Sequence, residues 1–202
     1  MVITLVIIGG LLVAAVIGLS VATVYNRLVK LNNLCDNSFA QIEVQLKRRY
    51  DLIPNLVECV RGYMQHEQET LENVIKARNQ ASAGLAELAK NTSSGAAIKS
   101  FAGAEGLLSN ALGRLSVVME AYPELKANEN VAVMTEELTS TENRIGFARQ
   151  SFNDWCTEFN VYRQSFPTIL FAASIGYGDD RDLLEFEDSA AIQHAPAVSL
   201  TS

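Results

Sequence analysis

From Met1 to Val24 no residue carries a charged side chain, and the run VITLVIIGGLLVAAVIGLSVATV is dominated by Val, Ile, Leu and Ala. A helix rising 1.5 Å per residue crosses the hydrocarbon core of a bilayer, about 30 Å, in roughly 20 residues. The run is therefore long enough to span with a little to spare. A core helix of a soluble protein rarely stays apolar on every face for such a length. The rival reading is a cleaved signal peptide, which calls for a basic segment ahead of the apolar one. None precedes it here, although the small residues near Gly18–Ala22 resemble a cleavage site. Gly9, Gly10 and Gly18 allow close helix–helix approach without making a GxxxG pattern. After the run come Arg27 and Lys30, then Lys47, Arg48 and Arg49. The positive-inside rule predicts a single-pass protein with a short N-terminus outside and the rest in the cytoplasm.

The remainder has one domain's worth of chain and too much apolar content for disorder, with 49% apolar and 19% charged residues overall. A formal charge of −7 argues against a nucleic-acid partner, and no basic face carries interleaved aromatics. Residues 179–188 (DDRDLLEFED) hold six acids and one base, so the segment from 178 to 202 reads as an acidic, flexible tail. Cys35, Cys59 and Cys156 are too few and scattered for a disulfide framework, and their odd number suits a reducing compartment.

Between 25 and 177 the apolar residues recur at spacings of three and four. The last seam runs through Met134, Leu138, Thr141, Ile145, Ala148, Phe152, Trp155, Phe159, Tyr162 and Phe166. An average of 3.5 residues per turn predicts left-handed packing against partner helices. Similar seams cover Leu28–Leu46, Ile53–Leu88 and Ile98–Tyr122, and strand signals are absent. The expected fold is all-α, a transmembrane helix continuing into an antiparallel up-down four-helix bundle. Pro54 suits a first helical turn, so helix one is expected to end near Leu52 and helix two to start there; the alternative is one long helix kinked at the proline. On the first reading helices two and four are each about 55 Å long. Asn128 reads as the N-cap of helix four. In this topology helix four returns towards the bilayer. FPTILFAASIGY (166–177), apolar and broken by Pro167 and Gly176, is then expected either on the membrane or in a neighbouring copy's groove, or as a cap on its own bundle. Its candidate contact residues are Phe166, Pro167, Ile169, Leu170, Phe171 and Tyr177.

Signatures of catalysis are missing. Dinuclear metal sites in helical bundles use Glu-x-x-His motifs, and none occurs; nor is there a P-loop or a nucleophile elbow. Cys59 and His66, about 10 Å apart along a helix, are too distant for a hydrogen bond. The expectation is a protein without catalytic residues, cofactor or metal. Glu67, Arg78 and Glu105 fall at seam positions, where they either pair in the interior or, as the favoured reading, reach out to water.

Several long motifs resemble the LemA family: YNRLVKL (25–31), QLKRRYDLIPNLVECVRGYMQHE (45–67), AYPELKANEN (121–130), EELTSTENRIGFARQSFND (136–154) and SFP (165–167). VAVM at 131–134, Phe152 before Asn153 and the tail after Tyr177 depart from the family pattern. The resemblance implies a membrane-anchored antiparallel bundle with its helical domain in the cytoplasm and no established catalytic residues. It further implies a structural or organising role, since one branch takes part in building magnetosome membranes and others are linked to envelope stress. On this reading the protein is a homo-oligomeric scaffold whose partners are the lipid bilayer and its own copies. The alternative is an adaptor for another membrane protein, such as a protease or kinase. Arg48, Arg49, Asp51, Asn55 and Glu58, around Pro54, are then fold-defining or partner-facing.

Overall fold

The computed structural model describes residues 1–185, and the remainder of the acidic tail lies outside the described residues. The fold is all-α. Helix α1 spans Val2–Arg61, α2 Gln68–Leu88, α3 Gly95–Glu120, the single turn α4 Pro123–Lys126, and α5 Glu129–Gln164. Two short 3-10 turns follow, Thr168–Leu170 and Ala173–Ile175. Among the described residues there is no strand.

The expected break at Pro54 does not occur; α1 runs through it to Arg61, and the chain turns at 62–67 instead. Proline lacks the N–H that would bond the carbonyl four residues back, here that of Tyr50. That carbonyl is not left bare: Arg78 on α2 donates to it from Nε at 2.9 Å. The same guanidinium lies 3.6 Å from Asp51. A side chain from the neighbouring helix thus replaces the missing bond, which is how a helix carries an internal proline. Because α1 takes residues up to Arg61, α2 has only 21 residues, about 32 Å rather than 55.

The described chain divides into two compact units. One comprises Phe39–Gln150 with Leu184, the other Met1–Ser38 with Ser151–Leu183. The first is the four-helix bundle, built from α1 beyond residue 39, α2, α3 and the first half of α5. Antiparallel pairing of α1 with α5 is visible in two contacts: Arg48 bonds Glu137, and Tyr63, further along, accepts from Asn128. Ile42, Leu46, Ile53, Val57 and Val60 of α1 are buried, as are Leu71, Val74, Ala81 and Leu85 of α2, Phe101 and Leu108 of α3, and Ile145 of α5. Local signals set the ends. Ser94 accepts from the Ala97 N–H to start α3, and Asn128, the expected cap of the last helix, accepts from Asn130 and Val131. Pro123 occupies the first turn of α4.

The second unit holds two long helical stretches, again antiparallel. Arg27 on α1 bonds Glu158 on α5 and lies over the Tyr162 ring. Its buried residues include Val24, Leu28, Leu31, Cys35, Phe152, Cys156 and Phe159. The seam residue Phe166 does not join them: α5 ends at Gln164, and Phe166 is 80% exposed. Gly176, at φ 92°, closes the second 3-10 turn in a left-handed conformation that side chains avoid.

Replacing Arg78 by Met is expected to cost about 1–3 kcal/mol by leaving the Tyr50 carbonyl without a donor. In a Pro54→Ala background the restored N–H takes over, and the cost of the same substitution should fall below about 1 kcal/mol. Denaturant melts of the four proteins give this cycle directly; equal costs in both backgrounds would show that the arginine does not serve that carbonyl.

Candidate functional site

Within the membrane-proximal unit, the residues from Met1 to Leu19 are exposed on every face, and burial begins only at Val24. Exposed over this length and, Thr4 apart, carrying only apolar side chains or glycine, the stretch has the length and composition of a membrane span. Two hydroxyls near its end bond back into the helix. Ser20 donates to the Val16 carbonyl at 2.8 Å and Thr23 to the Leu19 carbonyl at 2.9 Å, so neither carries an unmet donor into hydrocarbon. The described residues contain one helix long and apolar enough to cross a membrane, and this is it.

Beside the end of that apolar stretch lies the segment after α5. The Tyr177 ring sits 6.5 Å from Tyr25 and 5.9 Å, edge-on, from Phe159. Thr168 and Ala172 are buried, and Phe171 and Tyr177 are half-buried. Phe166, Ile169 and Leu170 project outward, 80%, 55% and 63% exposed, with Pro167 exposed among them after a cis Phe166–Pro167 bond. The segment therefore has two faces. One caps the α1–α5 pair of its own unit, and the other presents three large apolar side chains. Burial, with Tyr25 nearby, moves the Tyr177 hydroxyl above its ordinary pKa.

From Gly178 to Glu185, residues grouped with the tail by composition, the chain is held in place. Asp180 accepts from Arg163 and Gln164. Asn160 exchanges both of its amide hydrogen bonds with the backbone of Arg181. The Arg181 guanidinium is buried and bonds Asn32 and Asp36 on α1, each at 2.7 Å. Leu184 is buried as well.

The residues singled out around Pro54 do not form one surface. Arg48 is exposed and pairs with Glu137 at 2.6 Å. Asp51 is exposed and reaches Arg78, Asn55 is exposed, and Glu58 pairs with Arg61 at 3.5 Å. Arg49 points the other way. It is 4% exposed, bonds Glu105 on α3, and reaches Glu142 on α5 at 2.5 Å. Tyr50 donates to the other Glu105 oxygen at 2.5 Å. Glu105 is itself 4% exposed, so the favoured reading of it as a seam-edge residue reaching for water is corrected: it is half of an interior ion pair. Burial works against the Arg49 charge, but the Glu105 and Glu142 carboxylates outweigh it and hold the guanidinium above its usual value. Burial, then the Glu105 carboxylate, pushes the Tyr50 hydroxyl far above its usual value. The +4, +3, +4 progression Ile42, Leu46, Arg49, Ile53 was the available signal that Arg49 faces inward.

Two open grooves flank the bundle. One, about 880 Å³, follows α2 past Met64, Leu71 and Ile75; the other, about 700 Å³, lies between α3, α4 and α5 at Met119, Leu125 and Val131. Among the described residues no three His, Cys, Asp or Glu side chains converge as a metal site would require.

The LemA family model matches residues 38–200. The chain belongs to the LemA family. Among its relatives, magnetosome protein MamQ of Magnetospirillum gryphiswaldense is 26% identical over 168 residues, covering 76% of this chain and 62% of the relative. Magnetosome protein MamQ 2 of Paramagnetospirillum magneticum is equally similar over the same shares. Protein LemA of Metamycoplasma hominis is 25% identical over 150 residues, covering 74% of this chain and 64% of the relative. The chain thus spans under two thirds of the length of these relatives. With a helix long and apolar enough to cross a membrane, this LemA-family chain is a membrane-associated helical protein.

Arg49→Met alone should destabilise the bundle by about 3–5 kcal/mol, because it strands a buried carboxylate. Adding Glu105→Leu should recover most of that loss in the same denaturant melts, and failure to recover would place the cost elsewhere. The Tyr50 shift also sets a pH trend: its folded pKa lies above the unfolded value of about 10, so stability is intact below that pH and declines as pH rises past it. Tyr50→Phe should flatten this alkaline decline.

Proposed function

We propose that the protein is a homo-oligomeric structural scaffold of the cytoplasmic membrane, anchored by α1 and organising or remodelling the bilayer. The observation that carries this reading is the pairing of a helix long and apolar enough to cross a membrane with a second apolar element at its base. Phe166, Ile169 and Leu170 are exposed on a segment whose Tyr177 ring contacts Tyr25, one residue past Val24. An exposed cluster of three large apolar side chains next to a membrane span is matched to the interfacial zone of the same leaflet, where such side chains are stabilised. Each protomer then holds the bilayer at two points, through a spanning helix and a wedge beside it. An array of such protomers, in contact along their outer helical faces and grooves, would hold membrane area in a fixed arrangement.

The short N-terminus lies outside and the bundle in the cytoplasm, in keeping with Arg27 and Lys30 after the span. Nothing in this role asks for a catalytic group, cofactor or metal. Relatives named as magnetosome proteins fit the same kind of work.

Full-length protein in lipid nanodiscs or mild detergent should form discrete assemblies of many copies, read by light scattering and negative-stain imaging. A small oligomer that co-purifies stoichiometrically with another membrane protein would instead make it an adaptor. The triple substitution Phe166→Ser, Ile169→Ser and Leu170→Ser leaves the buried face of the segment intact. It should reduce remodelling of vesicles by the reconstituted protein while α1 keeps it membrane-bound; unchanged remodelling would remove the wedge from the proposal.

A further inference from the structure

The face of α3 turned away from the bundle core carries little charge and has two unlike flanks. With successive residues about 100° apart, Gly103, Asn110 and Val117 point within about 40° of one another. Leu107 and Arg114 flank that line on one side, Gly106 and Gly113 on the other. Val117 is 68% exposed and Leu107 57%. A Cβ added at Gly103 or Gly113 would meet nothing within 4 Å. Alanine would fit both positions and suit a helix better, so the chain's own packing gives no reason for glycine there. Close approach of another backbone gives one. The charges at the margin are unmatched as well. Arg114 and Glu120 are both exposed, and among the described residues neither has an ion-pair partner.

We propose that this face is where two copies of the chain meet, their α3 helices side by side and parallel about a two-fold axis. The proposal rests on the homo-oligomeric reading above and assigns one of its contacts. Such an axis leaves both chains pointing the same way, as copies inserted into one bilayer do. It sets equivalent residues level and reverses left and right, so each flank of one helix meets the opposite flank of the other.

Leu107 then lies against Gly106 of the second copy, and the stem of Arg114 against Gly113 of the second copy. The bulky flank fills what the glycine flank leaves open. Asn110, on the axis, faces its own counterpart, and two side-chain amides can each donate to and accept from the other. Past the glycine, the Arg114 guanidinium is aimed at Glu120 of the second copy, about 9 Å further along the helix and within reach of two long side chains. The symmetry makes that ion pair twice. Lys99 lies about 16 Å from Asn110 in the other direction, where helices crossing at an angle have diverged. A single helix face buries less than the about 800 Å² per partner of a standard interface. Confinement to one membrane compensates by raising the effective concentration of each copy for the other.

The test introduces Asn110→Cys, in a Cys59→Ser background, into the full-length protein, reconstitutes it in liposomes and oxidises it with copper phenanthroline. A covalent dimer reversed by dithiothreitol is expected, whereas Ala83→Cys, exposed on α2, should stay monomeric. Adding Gly113→Leu should abolish the dimer while the circular-dichroism melt is unchanged or raised, because the chain itself has room at that site. Arg114→Glu should weaken the link, and Glu120→Arg added to it should restore it. Equal linking by the two cysteines, or a dimer indifferent to Gly113→Leu, would overturn the proposal. Light scattering of the unmodified protein separates this contact from the scaffold reading. Multi-copy particles without an Asn110→Cys link remove the contact and leave the scaffold standing; single copies remove both.

Discussion

A missing proton on one nitrogen governs the architecture. Pro54 cannot bond the Tyr50 carbonyl, and an uncompensated carbonyl inside a helix is enough to break or bend it. Arg78 answers from α2, so α1 keeps its phase across the proline. Every buried residue beyond that point, from Leu56 and Val57 to Val60, owes its inward orientation to that preserved phase. The turn to α2 is displaced to 62–67, and α2 is shortened to match. The polar residue at an apolar seam position is thus a condition for the first helix being one helix.

The same preserved phase places Arg49 inside. A guanidinium shared by carboxylates from α3 and α5 fixes which residues of three helices stand level with one another. A purely apolar seam tolerates a slip of one turn, since Leu and Ile substitute for each other with little penalty. A buried arginine does not, because a slipped register leaves a charge unpaired. Buried pairs of this kind contribute little net stability, and register is the better account of this one.

Most of the architecture was legible because apolar periodicity is a strong signal. The membrane helix, the seam of α1 from Leu28 to Leu46, the caps at Asn128 and the all-α class follow from spacing and composition alone. The helix boundary at Pro54 was not legible, since it depends on a side chain 24 positions away that no local pattern announces. Arg49 was hidden in the run Lys47-Arg48-Arg49, which reads as a solvated cluster although successive residues of a helix point about 100° apart. Segment 166–185 was half legible. Its apolar character was plain, but docking of Arg181 against Asn32 and Asp36 links positions near the two ends of the chain, beyond the reach of any periodicity.

The pairing of the first helix with the last has a consequence for biosynthesis. Leu28, Leu31 and Cys35 belong to one buried set with Phe152, Cys156 and Phe159, which leave the ribosome more than a hundred residues later. At about 5–20 residues per second, on the order of ten seconds separate the synthesis of that stripe from the synthesis of its later partners. Contacts so distant in sequence also form slowly once they are available. The buried face at the base of α1 is therefore completed only when nearly the whole chain has been made.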